Sequence, residues 1–238
     1  DIAHLAHVEL LTDKFAESLD FFTRVYGLSV SAQSDDVAYL RGFDDYEFHT
    51  LKLTASDTTG LGHVAYRASS PEALQRRVEA VETMGCGIGW VDGDEGHGRA
   101  YRFTDPDDHI FEIYYDTRRA EPAEVEKSAL KNIASKFHGN GVCARRLDHL
   151  NLLAKDVSAI REWMPKALGS RVTEYIQLDN GRLGGCWFTV NNKTYDVAYT
   201  EDHTGQTGRF HHVTYAVDQR EDVLRAADIF LENGIFIE

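Results

Sequence analysis

Residues 5–10 read LAHVEL, and a similar six-residue stretch begins at three later points in the chain. These stretches are LGHVAY at 61–66, LDHLNL at 147–152 and FHHVTY at 210–215. Each has a histidine at its third position within a short alternating pattern, which is typical of a β-strand with one buried face. A unit that recurs in this way predicts a fold built from repeated modules.

A helical spacing of apolar residues follows each of these strands and stops at a glycine: Gly27, Gly85, Gly169 and Gly234. In the first three modules, short apolar alternations separated by turn residues then predict about three further strands. The module is therefore βαβββ. The fourth stops soon after its helix, so we expect the natural chain to continue beyond Glu238.

These modules predict an α+β fold with two module pairs, each forming an open, barrel-like mixed sheet. The first pair is expected over residues 1–120, as the structural half with a relict site. The second, catalytic pair is expected over residues 145–238. The helical spacing between them, including Leu130 and Ile133, predicts a helical connection at 121–144.

Composition limits the partners of this chain. The 238 residues carry a net charge of −14, which argues against nucleic acid and anionic membranes, while 42% hydrophobic residues suffice for a core. Three widely spaced cysteines indicate neither a disulfide framework nor a zinc site. No signal peptide or membrane-length apolar run is visible. We therefore expect a globular cytoplasmic protein with small-molecule partners.

The four strand histidines suggest a metal site. Two modules packed side by side would bring two imidazoles to one concavity, and two histidines with one carboxylate suit non-haem Fe(II), because substrate and dioxygen can then both bind the metal. Imidazole also binds Mn, Ni or Zn, so the residues alone leave the metal open.

The module plan, with RLDHLN at 146–151 and GRFHHV at 208–213, resembles the type I extradiol ring-cleaving dioxygenases of the vicinal oxygen chelate superfamily. The resemblance covers essentially the whole chain. It implies an Fe(II) enzyme, with Mn(II) as the alternative metal, that uses O2 to cleave a catechol ring beside its two hydroxyls during the breakdown of aromatic compounds. It further implies a small aromatic diol with an alkyl or aryl group as substrate, and a homo-oligomer.

The resemblance also assigns the catalytic half. It implies that His149 and His212 bind the metal and that a Glu beyond Glu238 completes the set. Tyr195 stands where the family usually has a second histidine near the oxygen site. A phenol with a pKa of about 10 donates a hydrogen bond but is a poor proton shuttle at neutral pH. Three alternatives are open. Tyr195 donates a hydrogen bond to the bound oxygen, another group such as His203 enters the site in its place, or the activity is altered or slow.

Two further residues match family positions near the substrate. Trp187 corresponds to an aromatic that lines the substrate pocket, and the alternative is a tryptophan in the core. Asn151 corresponds to a position near the metal, and the alternative is a solvated strand residue.

The N-terminal pair carries the same ligand types at the same module positions. His7, His63 and Glu112 would form either a relict or a genuine second metal site, although this half usually holds no metal in the family.

Two other functions are open for this module plan. A metal-dependent isomerase or lyase of the same superfamily would turn over without consuming oxygen. A non-catalytic small-molecule-binding protein would need no metal and form no product. The residues do not say which catechol would be cleaved.

Overall fold

The computed structural model describes residues 1–124, 127–131 and 139–237. The described chain forms two open mixed β-sheets with helices packed against them, so the predicted α+β class is confirmed. Of the 24 residues of the helical connection predicted at 121–144, nine lie outside the described residues, namely 125–126 and 132–138. Among the described residues, no helix is both long enough and apolar enough to cross a membrane.

The first sheet has eight strands in the order β2-β3-β4-β1-β5-β8-β7-β6. Its elements are β1 (Ile2–Thr12), α1 (Phe15–Asp20), β2 (Ser29–Gln33), β3 (Val37–Arg41), β4 (Leu51–Ala55), β5 (Gly60–Ala68), α2 (Pro71–Thr83), β6 (Gly87–Val91), β7 (Ala100–Thr104) and β8 (Ile110–Tyr114). The order strand, helix and three strands therefore occurs twice in this half.

The second sheet has five strands in the order β10-β11-β12-β9-β13. Its elements are β9 (Arg146–Ala154), α3 (Val157–Leu168), β10 (Arg171–Gln177), β11 (Leu183–Thr189), β12 (Val197–Glu201), β13 (Phe210–Ala216) and α4 (Arg220–Glu232). The third module has the same order of elements, and the fourth comprises a strand and a helix.

The first helix differs from its predicted form. Its α-helical part ends at Asp20, and Phe21–Val25 forms a π-helical turn in which the Tyr26 N–H donates to the Phe21 carbonyl at 2.8 Å. The helical segment ends before Gly27, as predicted. Gly27 has φ of +87°, and a β-carbon there would collide with the carbonyl oxygen of Asn140.

The histidine strands of each module pair lie side by side. Antiparallel pairing of β1 with β5 sets Val8 opposite Val64, and antiparallel pairing of β9 with β13 sets Leu150 opposite Val213. In each sheet the first of these strands also pairs in parallel with the last strand of its own module. The two halves thus repeat one arrangement around the first strand of each pair, β1 and β9.

One hydrophobic cluster extends across both halves. Trp163 on α3 packs against two aromatic rings of the first sheet, with centroids 6.0 Å from Phe103 and 5.8 Å from Phe111. A buried carboxylate also lies between the halves. Oδ2 of Asp45 accepts from Thr50 Oγ1 at 2.9 Å and from the backbone N–H of Leu147 at 3.3 Å.

Replacing the tryptophan between the halves should destabilise the whole protein. We expect Trp163→Ala to lower the free energy of unfolding by about 3–5 kcal/mol, because the cavity it leaves is lined by aromatic rings that cannot collapse into it. Glu162→Ala, at an exposed position on the same helix, should change it by no more than about 0.5 kcal/mol. Similar effects of the two variants in urea titrations would contradict a shared core.

The buried carboxylate should make stability depend on pH. Burial raises the pKa of Asp45 from 3.8 to about 6, so folding favours its protonated form and this contribution is lost as the pH rises from about 4 to about 6. Between pH 4 and pH 7, the free energy of unfolding of Asp45→Asn should therefore rise by about 2–3 kcal/mol relative to that of the parent, as measured in urea titrations. The exposed Asp179→Asn should show no such gain. A difference between Asp45→Asn and the parent that is independent of pH would contradict the assignment.

Candidate metal centre

Two of the predicted ligands meet on neighbouring strands of the second sheet. His149 on β9 and His212 on β13 have ring centroids 5.6 Å apart, with the rings nearly perpendicular. Nδ1 of His149 lies 2.7 Å from Asp148 Oδ2, and Nδ1 of His212 lies 2.8 Å from Nδ1 of His211. Nε2 of either ring has no hydrogen-bond partner among the described residues. Two imidazole nitrogens are thus left for a ligand.

The surroundings orient the ring of His149 and keep His212 in its metal-binding form. Asp148 accepts the Nδ1 proton of His149, which leaves the lone pair on Nε2. The hydrogen bond from His149, with Lys193 nearby, lowers the pKa of Asp148 and keeps it ionised. Burial, followed by His211 and His149, lowers the pKa of His212, so that its imidazole is neutral at pH 7. Neutral imidazole is the form that binds a metal.

The residues predicted around these ligands lie on adjacent segments. Tyr195 precedes β12, and its ring centroid is 4.6 Å from that of His149. Its hydroxyl has no hydrogen-bond partner within the described part of the chain. The alternative, His203, extends into solvent with 73% of its side chain exposed. Tyr195 rather than His203 therefore accompanies His149.

The two predicted substrate residues are less directly placed. Trp187 is partly buried on β11 and folds over Gly185, where an added β-carbon would lie 3.0 Å from its ring. Asn151 is buried on β9 opposite His212, and its amide donates to Thr200 Oγ1 at 2.9 Å. Asn151 therefore lies next to a metal-ligand position with its amide nitrogen already bonded.

The structure also brings together His7, His63 and Glu112. One ligand atom from each lies within 4.8 Å of the others, and all three side chains are buried. Nε2 of His7 is 2.9 Å from Nε2 of His63. Glu9 Oε2 lies 2.8 Å from His63 Nδ1, and Arg102 Nε donates to Glu112 Oε2 at 2.8 Å.

Two histidines to which the sequence assigned no role complete this group. His49 has its ring centroid 4.4 Å from that of His7, and His97 Nε2 lies 3.5 Å from Glu112 Oε1. Burial, followed by His97, lowers the pKa of His49 to about 3. We call His7, His49, His63, His97 and Glu112 the N-terminal cluster. His49 could have been found from the module alignment, because it stands two residues before β4 as Tyr195 stands two before β12.

Comparisons with known proteins agree with this architecture. The model of the Glyoxalase/Bleomycin resistance protein/Dioxygenase superfamily matches residues 4–113 and 146–238. A metapyrocatechase from Geobacillus stearothermophilus is 42% identical over all of this chain and 72% of its own length. A manganese-dependent 2,3-dihydroxybiphenyl 1,2-dioxygenase from Geobacillus genomosp. 3 is 36% identical over all of this chain and 76% of its own length.

Solved structures show the same fold. An extradiol ring-cleaving dioxygenase from B. fuscum matches 99% of this chain and 63% of its own, with a TM-score of 0.85 and 29% identity. A 2,3-dioxygenase from Pseudomonas sp. KL28 matches all of this chain and 82% of its own with a TM-score of 0.89, and at 20% identity it supports the fold alone.

These relatives confirm the predicted resemblance to extradiol ring-cleaving dioxygenases. They also confirm the predicted class of enzyme, an oxidoreductase that incorporates oxygen into its substrate. The predicted class of cofactor, a divalent metal, is confirmed for the family by the manganese-dependent relative. With its repeated strand order, its paired strand histidines and a family model that matches both halves, the chain belongs to the Glyoxalase/Bleomycin resistance protein/Dioxygenase superfamily.

Proposed function

We propose that this protein is an extradiol dioxygenase that cleaves a substituted catechol with O2, using Fe(II) or, as the alternative, Mn(II). The metal is held by His149 and His212. The observation that carries the proposal is the meeting of these two rings on β9 and β13, beside the Tyr195 ring. Nε2 of each ring has no hydrogen-bond partner among the described residues. The catalytic half is residues 145–238, residues 1–120 are the structural half, and residues 121–144 connect them.

The third ligand is a glutamate from beyond Glu238. The first sheet supports this part of the proposal, because β8 pairs in parallel with β5 and sets Glu112 opposite Ala65, two residues after His63. In the second sheet, β13 pairs only with β9 among the described strands. A parallel strand added at the free edge of β13 would carry a carboxylate to His212 as β8 carries Glu112 to His63.

A divalent metal held by His149 and His212 would supply Lewis-acid and redox chemistry for a catechol and dioxygen. The residues of the chain position and stabilise these groups. Asp148 holds the ring of His149, and the hydroxyl of Tyr195 donates a hydrogen bond to an oxygen that gains negative charge. Trp187 provides an aromatic wall for a substrate with an alkyl or aryl group. The protein works as a cytoplasmic homo-oligomer.

The test of this function is ring cleavage by the full-length protein loaded with Fe(II). We expect a yellow ring-fission product from a 3-alkylcatechol with one O2 consumed per ring. His149→Ala and His212→Ala should each lower the rate at least about a hundredfold, because each removes a metal ligand. His203→Ala should retain the parent rate. Product formation without O2 consumption would indicate an isomerase or lyase, and stoichiometric binding without product would indicate a binding protein.

The role of Tyr195 can be tested separately. We expect Tyr195→Phe to lower kcat roughly tenfold to a hundredfold with little change in KM, because the lost hydrogen bond goes to a charged oxygen formed during the reaction. Asp179→Asn, a substitution at a distant exposed position, serves as the control for preparation and assay of the variants. An unchanged kcat in Tyr195→Phe would remove Tyr195 from the catalytic residues. A faster Tyr195→His would show that the tyrosine slows this enzyme.

A further inference from the structure

The N-terminal cluster repeats the geometry of the His149 and His212 site. Val8 pairs with Val64 and Leu51 in the first sheet as Leu150 pairs with Val213 and Val197 in the second. A histidine lies one residue before each of Val8, Val64, Leu150 and Val213. His49 lies two residues before Leu51, and Tyr195 lies two residues before Val197. His7 therefore corresponds to His149, His63 to His212, and His49 to Tyr195.

The ring geometry agrees with this correspondence. The His7 and His63 centroids lie 5.1 Å apart with an interplanar angle of 81°, compared with 5.6 Å and 78° for His149 and His212. His49 lies 4.4 Å from His7, and Tyr195 lies 4.6 Å from His149. The first sheet also supplies a carboxylate, Glu112, from within the described chain.

Two acceptors face each other within this cluster, on His97 and on Glu112. Glu9 takes the Nδ1 proton of His63, so the lone pair on Nε2 of His63 accepts the Nε2 proton of His7 at 2.9 Å. His97 Nδ1 lies 2.9 Å from the carbonyl of Gly98, which places its proton there and leaves the Nε2 lone pair facing Glu112 Oε1 at 3.5 Å. Glu112 Oε1 is buried and has no hydrogen-bond partner in the part of the chain that the structure describes.

An unpaired carboxylate oxygen inside a protein is costly, and two facing acceptors repel each other. A cation between Glu112 Oε1 and the imidazole nitrogens removes both costs. The neighbours already hold the ligands in position, because Glu9 fixes the His63 ring and Arg102 occupies the other oxygen of Glu112.

We propose that His7, His63 and Glu112 bind a divalent first-row transition metal, which makes this a two-metal chain. Two imidazoles and a carboxylate suit Zn(II), Mn(II) and Fe(II). The ion joins β1, β5 and β8, and so links the first module to the second.

This second site is closed. The His97 ring stacks on Tyr114 with centroids 4.2 Å apart, and both rings lie beside His7. These rings and His49 cover the ligands, whose exposed fractions are 0–2%. A catechol cannot reach an ion enclosed in this way. The N-terminal metal is therefore structural.

The first test counts metal in the full-length protein by mass spectrometry after dialysis with Zn(II) and removal of the excess. The parent should retain about two ions per chain, and His149→Ala/His212→Ala about one. Adding Glu112→Gln, which keeps the side-chain shape, should reduce the count to near zero. Adding His4→Gln instead, which replaces another β1 histidine, should leave about one. A double variant that retains no metal would overturn the proposal.

The second test measures stability, so that it does not depend on the Glu112 variant folding well. Zn(II) added at about a hundred times its Kd to metal-free His149→Ala/His212→Ala protein should raise Tm by roughly 5–10 °C. The same protein with Glu112→Gln should show no increase. An unchanged Tm in the double variant would overturn the structural role, and an equal increase in both proteins would place the ion elsewhere.

Discussion

The antiparallel pairing of the first strands of two modules is the contact on which the rest of the structure depends. It places β1 against β5 in the first sheet and β9 against β13 in the second. Because side chains alternate along a strand, a shift of one residue in either pairing would turn the histidines to the opposite face. Apolar pairs such as Val8 with Val64 hold this register, because they are fully buried. The packing of the core therefore also determines where the histidine ligands point.

Much of this arrangement could be predicted from local sequence. The repeated histidine strand predicted the module order and the α+β class, and the family resemblance implied that His149 and His212 share a site. The π-helical turn after Asp20 was not predicted, since apolar residues at helical spacing do not distinguish it from an α-helix. His97 was not predicted either, because a turn residue reaches Glu112 only through the tertiary fold. Tyr195 could be aligned with a family position, but its distance from His149 required the structure.

The two halves show how surroundings decide what the same ligand types do. His149 has 13% of its side chain exposed, and the Tyr195 ring, whose hydroxyl has no hydrogen-bond partner among the described residues, lies beside it. In the first half, the stacked rings of His97 and Tyr114 lie beside His7, with centroids 5.4 Å and 5.8 Å from its own. A metal centre needs an open face to bind substrate, and stacked aromatic rings remove that face. Duplication of one module can thus supply both an open site and an enclosed one.

The enclosure of His7, His63 and Glu112 also has a kinetic consequence. An ion held by side chains that are at most 2% exposed can leave only when the surrounding strands open locally. Exchange is then limited by that opening and not by affinity for the metal. The N-terminal half would take up its ion as it folds and keep it, so its metal content would record the ions available in the cell during synthesis. The more exposed half would equilibrate with the buffer.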